Sequence, residues 1–382
     1  MRLKRESKEV PQRPLRVLVF SPPLDRSGGI GALFTYAKPH FPQDVKVTFI
    51  DTRGYHKSPV WSMFPLSKAI LTLLKYRFQK EVDVVHLNLG ARGSAFRKMI
   101  IGTIAIKLLQ IPTVFQLHAA TFEDFFHGLT LILRRWMLLI LNDASKILVL
   151  GSVSRSMMER IGCKSHLLEI FQMGVPDLSD KNLSTSHQNR YSERPRENPV
   201  ILFAGELGER KGLPQTLESL EPLKNDLPYL IVAGGGDIQI WQQYATSLKI
   251  SSRVAFVGLI PYSTIHSYLA EIDAVILPSR AEGLPVSVLE CLSAAKTPIV
   301  TLSGNLGDYL RSNNSIIISN PSEGEIRHAL ISFTELFRLG LCHEFERNAK
   351  KLWAEYFDVT KTTLNLVRIW KSSLAKEQGT DV

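Results

Sequence analysis

Short, uninterrupted apolar runs alternate along this chain with longer stretches in which apolar residues recur every three to four positions. Residues 15–20 (LRVLVF) form the first run, bounded by a basic segment and by Ser21-Pro22-Pro23, which is the form of a strand buried on both faces. A loop reaching Gly28-Gly29-Ile30-Gly31 follows, then a helical pattern to about Lys38. Strand patterns at 45–51, 82–89 and 113–117 alternate with helical ones ending near residues 80 and 109. The alternation restarts at 200–204 and continues through 230–233 and 274–277. This order predicts an α/β protein with two doubly wound parallel sheets, whose ligands bind beyond the carboxyl ends of the strands. The predicted organisation is a disordered basic tail over 1–14, a first domain over 15–176, a polar linker over 177–198, a second domain over 199–359 and a basic amphipathic helix over 360–376.

The most informative stretch is residues 273–300. An apolar strand stops at Pro278, a polar loop carries Glu282 and Gly283, and Pro285 opens a helix with Val286, Leu289 and Leu292 on one face. Free backbone N–H groups at such a helix start suit an anion. Glu290 lies about a turn and a half into the helix, so Glu282 and Glu290 are expected to touch different parts of one long ligand. Two other readings remain for them: a glycosidase pair across one bond, or plain solvated charges.

Three further strand ends carry candidate chemistry. Gly28 and Gly29 allow close backbone approach to a phosphate. The segment Gly205-Glu206-Leu207-Gly208-Glu209-Arg210-Lys211-Gly212 sets two cations beside a glycine loop, as a diphosphate requires. His118 ends the run VFQLH, with Asp124 just beyond. Arg92, Arg97 and Lys98 follow the strand that ends at Asn88-Leu89, where they either hold an anionic acceptor or face water; Arg92 or Asp124 is expected to contact the acceptor hydroxyl.

Charge changes the picture more than composition does. The chain carries +10 overall, but residues 1–180 hold 25 Lys and Arg against 14 Asp and Glu, so the excess lies in the first half. Such a field favours a phosphate-bearing acceptor or an anionic membrane surface. Nucleic acid is disfavoured, because no basic and aromatic residues interleave. Helical stretches 97–110 and 129–142 mix Arg and Lys with Leu, Ile and Trp136, which suits a helix lying on a membrane or a core-facing helix whose cations snorkel. The three cysteines are too scattered for a disulfide framework or a zinc site, and no apolar run is long enough to span a bilayer. A cytoplasmic protein, peripheral on the inner face of the membrane, is expected.

Glu282 and Glu290 have seven residues between them, in the frame S-R-A-E-G-L-P-V-S-V-L-E-C-L-S-A-A-K-T-P, which resembles the E-x7-E signature of retaining glycosyltransferases of the GT-B fold, family four, also described as glycosyl transferases group 1. The resemblance extends over about residues 15–372. It implies two Rossmann-like domains facing across a cleft and transfer from a nucleoside-diphosphate sugar, UDP- or GDP-linked, to a glycan or lipid-linked acceptor. It implies that Glu282 and the backbone of Gly283, Leu284, Pro285 and Val286 lie at the donor sugar and diphosphate, and that Glu290 accepts from the ribose hydroxyls. Gly28 and Gly29 match a glycine pair facing the diphosphate, and His118 matches a histidine near the donor sugar, although Ala119 replaces the usual Gly or Asp.

Gly205 and Lys211 match the family's G-R-L-x-x-x-K-G, with Lys211 as its diphosphate-binding lysine, but Glu206 stands where an arginine is usual. Either Arg210 replaces that arginine or donor affinity is weakened. Gly174-Val175-Pro176-Asp177 resembles the turn that closes the first domain, and residues 303–308 match the family's G-G-x-x-E only loosely. No D-x-D triplet occurs, so a metal-bridged diphosphate is not indicated; no cofactor is expected, the nucleoside-diphosphate sugar being a substrate. Two rivals stay open: a GT-B sugar-nucleotide epimerase or phosphorylase, and a non-catalytic nucleotide-sugar-binding or scaffold subunit.

Overall fold

The computed structural model describes residues 13–24, 28–52, 63–179, 198–221, 223 and 228–375. Most of the basic tail and most of the linker lie outside these residues. The first sheet is built from β1 (Leu15–Ser21), β2 (Val45–Asp51), β3 (Val84–Leu89), β4 (Thr113–Leu117), β5 (Lys146–Val149) and β6 (Leu168–Ile170), in the order β2-β1-β3-β4-β5-β6. All of its pairings are parallel. Its helices are α1 (Gly29–Ala37), α2 (Met63–Phe78), α3 (Gly93–Thr103), α4 (Phe122–His127), α5 (Leu131–Asn142) and α6 (Ser152–Arg160). The near-continuous apolar strands follow from this architecture: with helices on both faces, every residue of β3 and β4 is buried.

The second sheet contains β7 (Val200–Ala204), β8 (Tyr229–Ala233), β9 (Val254–Gly258), β10 (Ala274–Leu277), β11 (Thr297–Thr301) and β12 (Ile316–Ile318), in the order β12-β11-β10-β7-β8-β9, again parallel throughout. Around it lie α7 (Leu213–Leu220), α8 (Ile238–Ser247), α9 (Ile265–Glu271), α10 (Val286–Ser293), α11 (Glu323–Arg338) and α12 (His343–Tyr356). Strand order reverses between β1 and β3 in one sheet and between β7 and β10 in the other. A doubly wound sheet opens its ligand crevice at such a reversal. Both reversals face the same cleft.

The last helix, α13 (Val359–Ala375), packs against the first sheet. Trp370 is fully buried there, stacked on Phe41 at 5.6 Å, with its Nε1–H donated to His86 Nδ1 at 3.1 Å. Val175 bridges Asp358 where the chain returns. Gly174 has no room for a side chain at this crossing, since a Cβ would stand 2.2 Å from the carbonyl oxygen of Phe357. That steric limit explains the glycine of the Gly174-Val175-Pro176-Asp177 turn.

The two halves share packing and polar contacts. Val288, Leu289 and Leu292 of α10 lie in one apolar cluster with Val17 and Val19 of β1 and Leu33 of α1. The N-terminus of α6 is capped from the second half: Ser152 N donates to Asp308 Oδ2 at 2.6 Å and Ser154 N to Asn305 Oδ1 at 3.0 Å. Asn305 in turn donates through Nδ2 to Gly283 O at 3.1 Å. So the weakly matching segment 303–308 serves here as a trans-domain cap, in which Asp308 and Asn305 each satisfy one backbone donor that α6 leaves open.

Candidate functional site

The cleft has a volume of about 860 Å³ and is lined by loops at the carboxyl ends of strands from both sheets. From the first half come Gly28, Gly29, Gly90 and His118; from the second come Gly205, Glu206, Arg210 and Lys211, and the segment from Glu282 to Ser287 together with Glu290. Every donor-side residue expected from the sequence therefore borders one cavity. Arg92, Arg97 and Asp124 do not line it. Arg92 is exposed immediately before α3, in a left-handed conformation with φ 56° that a side chain adopts reluctantly, and Asp124 is exposed in the first turn of α4. Lys98, grouped with these cations in the sequence, faces inward instead: it is buried and donates to Thr52 Oγ1.

Lys211 and Glu282 form the polar centre. Lys211 Nζ donates to Glu282 Oε1 at 2.5 Å, with both side chains largely buried, at 13% and 8% exposure. Gly205 packs beside this lysine: a Cβ there would lie 3.4 Å from Lys211 Cδ, in ordinary van der Waals contact. Gly212, in the left-handed region at φ 78°, turns the chain so tightly that a Cβ would meet Pro278 O at 2.4 Å, and this docks the lysine loop on the end of β10. Arg210 is also at the site. Its guanidinium spans Glu206 Oε2 at 3.0 Å, Ala281 O at 3.1 Å and Glu282 Oε1 at 3.8 Å.

Glu206 is 71% exposed and thus tethers Arg210 from the solvent side. Two cations and two carboxylates cancel at this centre. The remaining positive potential comes from backbone dipoles, chiefly the amides that open α10 without helical acceptors. Gly29 faces that opening, with its Cβ position 3.3 Å from Val286 Cγ2. Gly29, Val286 and Ser287 all border the cleft, so the starts of α1 and α10 lie on one cavity. Gly283 is needed at the seam itself, where a Cβ would stand 2.6 Å from His118 O and 2.9 Å from Leu150 Cδ1.

His118 is held by its neighbours. Asn88 donates its amide Nδ2–H to Phe20 O at 3.2 Å, which turns Oδ1 toward His118 Nε2 at 2.8 Å. The proton is thereby assigned to Nε2, leaving Nδ1 as an acceptor. Burial, with His86 and Lys98 nearby, pushes its pKa down to about 3, so the ring is neutral near pH 7. It can offer the cleft a hydrogen bond and shape, but no charge.

Glu290 is 8% exposed and accepts the Tyr36 phenolic hydrogen on Oε1 at 2.7 Å. Burial raises its carboxyl pKa to about 7, while the Tyr36 bond pulls it the other way. Two tyrosines absent from the sequence-derived site thus cross the seam in opposite directions. Tyr36, from α1, reaches Glu290; Tyr262, from the second half, donates to Gly28 O at 3.4 Å, and the two rings meet edge to face at 5.9 Å. One signal for Tyr36 was present in the sequence: it lies seven positions after Gly29, so both share the face of α1 that meets α10.

Among the described residues, no group of three or more His, Cys, Asp or Glu side chains is placed to hold a metal ion. Cys163, Cys291 and Cys342 are free and buried. Burial raises the thiol pKa of Cys163 to about 12 and that of Cys342 to about 11.

Solved structures share this fold over nearly the whole chain. The sucrose-phosphate synthase of Thermosynechococcus elongatus superposes with a TM-score of 0.77 at 13% identity, covering 95% of this chain and 100% of that one. Anabaena HepE, solved with UDP and glucose, gives 0.71 at 17% identity, covering 94% and 100%. The fold is GT-B. Residues 185–352, the part of this GT-B chain that holds Lys211, Glu282 and Glu290, match the family described as glycosyl transferases group 1. The 2-deoxystreptamine glucosyltransferase of Streptomyces kanamyceticus is 22% identical over 279 residues, which are 68% of this chain and 69% of the relative. The group 1 pattern of the sequence and the GT-B cleft of the structure thus coincide at the same residues.

Proposed function

We propose that this protein is a retaining hexosyltransferase of family four, moving a sugar from a nucleoside-diphosphate sugar to a glycan or lipid-linked acceptor in surface polysaccharide or glycolipid assembly. The observation that carries the reading is the convergence of Lys211, Glu282, the opening of α10 and the Gly28-Gly29 loop on one cleft. In this reading the diphosphate lies against Lys211 and the amides of Val286 and Ser287, which offset the charge released as the sugar leaves. Arg210 stands in for the missing arginine once the diphosphate competes with Glu206 for it. Glu282 and neutral His118 position the sugar, and Glu290 accepts from the ribose. The acceptor hydroxyl attacks from the face that the diphosphate leaves. The bound UDP of Anabaena HepE supports a nucleotide sugar as donor.

Arg92, Arg97 and Asp124, which lie outside the cleft lining, are assigned to the acceptor side. An anionic membrane surface is the proposed setting. Among the described residues no helix is long and apolar enough to cross a membrane. On α5, however, Leu131, Ile132 and Leu139 are exposed at 68%, 80% and 54%, alongside exposed Arg135. A basic, apolar helix face of this kind lies in the headgroup region of an anionic leaflet.

The test is a melting series with UDP, GDP and ADP and their sugar conjugates. A nucleotide at about 100 times its Kd adds roughly 2.7 kcal/mol of stability. A shift with one base, followed by sugar transfer to a lipid extract and an NMR assignment of the new anomeric bond as retained, is the expected sequence of results. No shift with any nucleotide would overturn the donor reading. Flotation with phosphatidylglycerol vesicles at low salt tests the membrane contact, which fails if the protein stays unbound.

A further inference from the structure

Tyr36 does not line the cleft, yet it holds one oxygen of a carboxylate that does. It reaches Glu290 from the opposite half of the molecule, and its hydroxyl lies 2.7 Å from Oε1. Glu290 receives no other side-chain hydrogen bond among the described residues, so its second oxygen is left for a ligand. The ring of Tyr36 is braced edge to face on Tyr262, which itself borders the cleft and bonds Gly28 O.

We propose that Tyr36 is a specificity-determining positioning residue: by fixing Oε1 of Glu290 across the domain seam, it aims the carboxylate so that a ribose is distinguished from a sugar lacking vicinal hydroxyls. The inference rests on the donor reading above. A carboxylate near a helix surface otherwise samples several rotamers, and an acceptor that must be ordered on binding contributes less to discrimination. The Tyr36 bond also favours the ionised carboxylate against burial, and the ionised form is the stronger acceptor. Loss of the hydroxyl weakens ribose recognition through both effects.

The experiment compares UDP, GDP and ADP with their 2′,3′-dideoxy forms by calorimetry, on the unmodified protein, on Tyr36→Phe and on Asp308→Ala. Tyr36→Phe removes one oxygen and keeps the ring packing. Asp308→Ala removes a different link across the same seam, the cap on Ser152. For whichever base binds, the unmodified protein is expected to prefer the ribose form by about tenfold or more, the scale of one charge-assisted hydrogen bond. Tyr36→Phe should bring that ratio to within about threefold of unity, and Asp308→Ala should preserve it.

The same change should appear as a rise in KM for the nucleotide sugar with kcat little altered. Equal weakening of both forms in Tyr36→Phe, or no weakening, overturns the proposal and leaves the donor reading standing. A collapse of the ratio in Asp308→Ala also overturns it, because closure of the seam would then set the discrimination. Absence of binding by the unmodified protein to all six nucleotides overturns the donor reading itself.

Discussion

Replacing Glu290 with Gln tests whether burial holds a proton on this carboxyl near neutral pH. The folded-state pKa is about 7 against an ordinary 4.5, so between these values the native protein binds more proton than the unfolded chain. Stability from this group is therefore full below about pH 4.5 and is lost as pH rises through 7. Integrating the difference gives a cost of about 3 kcal/mol at pH 8 and under about 1 kcal/mol at pH 5.

Gln is isosteric, can accept the same Tyr36 hydrogen and does not titrate. Glu290→Gln is thus expected to stabilise the fold at pH 8 relative to pH 5 by about 2.5 kcal/mol, read as a difference of differences in urea unfolding. His86 and His118, whose pKa values burial depresses to about 4 and about 3, titrate equally in both proteins and cancel in that comparison. The same substitution should remove most of the preference for ribose over dideoxyribose. If the effect of Glu290→Gln on stability is the same at both pH values, the carboxyl is ionised in the ordinary range and the physical account of Glu290 is wrong.

Three other substitutions probe the rest of the cleft. Lys211→Ala leaves Glu282 buried with Arg210 only at 3.8 Å, and should cost about 1–3 kcal/mol of stability and at least about tenfold in nucleotide affinity, by denaturation and calorimetry. Glu206→Gln frees Arg210 from an exposed pair worth under about 1 kcal/mol, so nucleotide binding should tighten two- to fivefold, roughly, at low salt and less at high salt; weaker or unchanged binding sinks the tether account. Gly283→Ala forces a Cβ to within 2.6 Å of His118 O, and should abolish most transfer while each half keeps its secondary structure by circular dichroism; near-normal transfer would show that the seam tolerates the displacement.

Much of this architecture was legible in the chain, for reasons that differ by element. Strands such as β1 and β10 are buried on both faces, so their apolar runs stand out against polar loops. Glycines 174, 212 and 283 mark places where backbones approach closely, and the paired carboxylates of 282 and 290 sit at a fixed spacing around a helix start. What the sequence hid were contacts between residues distant along the chain. The bond between Tyr36 and Glu290 joins positions 254 apart, and Asn305 caps a helix 151 residues earlier. Neither has a local pattern. Lys98 reads as one more surface cation of a basic helix, and only the packing of α3 against the sheet turns it inward to Thr52.

The placement of α13 bears on how the molecule comes into being. A ribosome delivers the first sheet well before Trp370, yet Trp370 and His86 share one buried contact. Until the closing helix emerges, the surface that receives it, with Phe41 and His86, has only solvent or a chaperone to cover it. The nascent first half thus waits, incomplete, through synthesis of the entire second half. Its packing closes only once α13 has been made, so the first half is completed after the second and not in order along the chain.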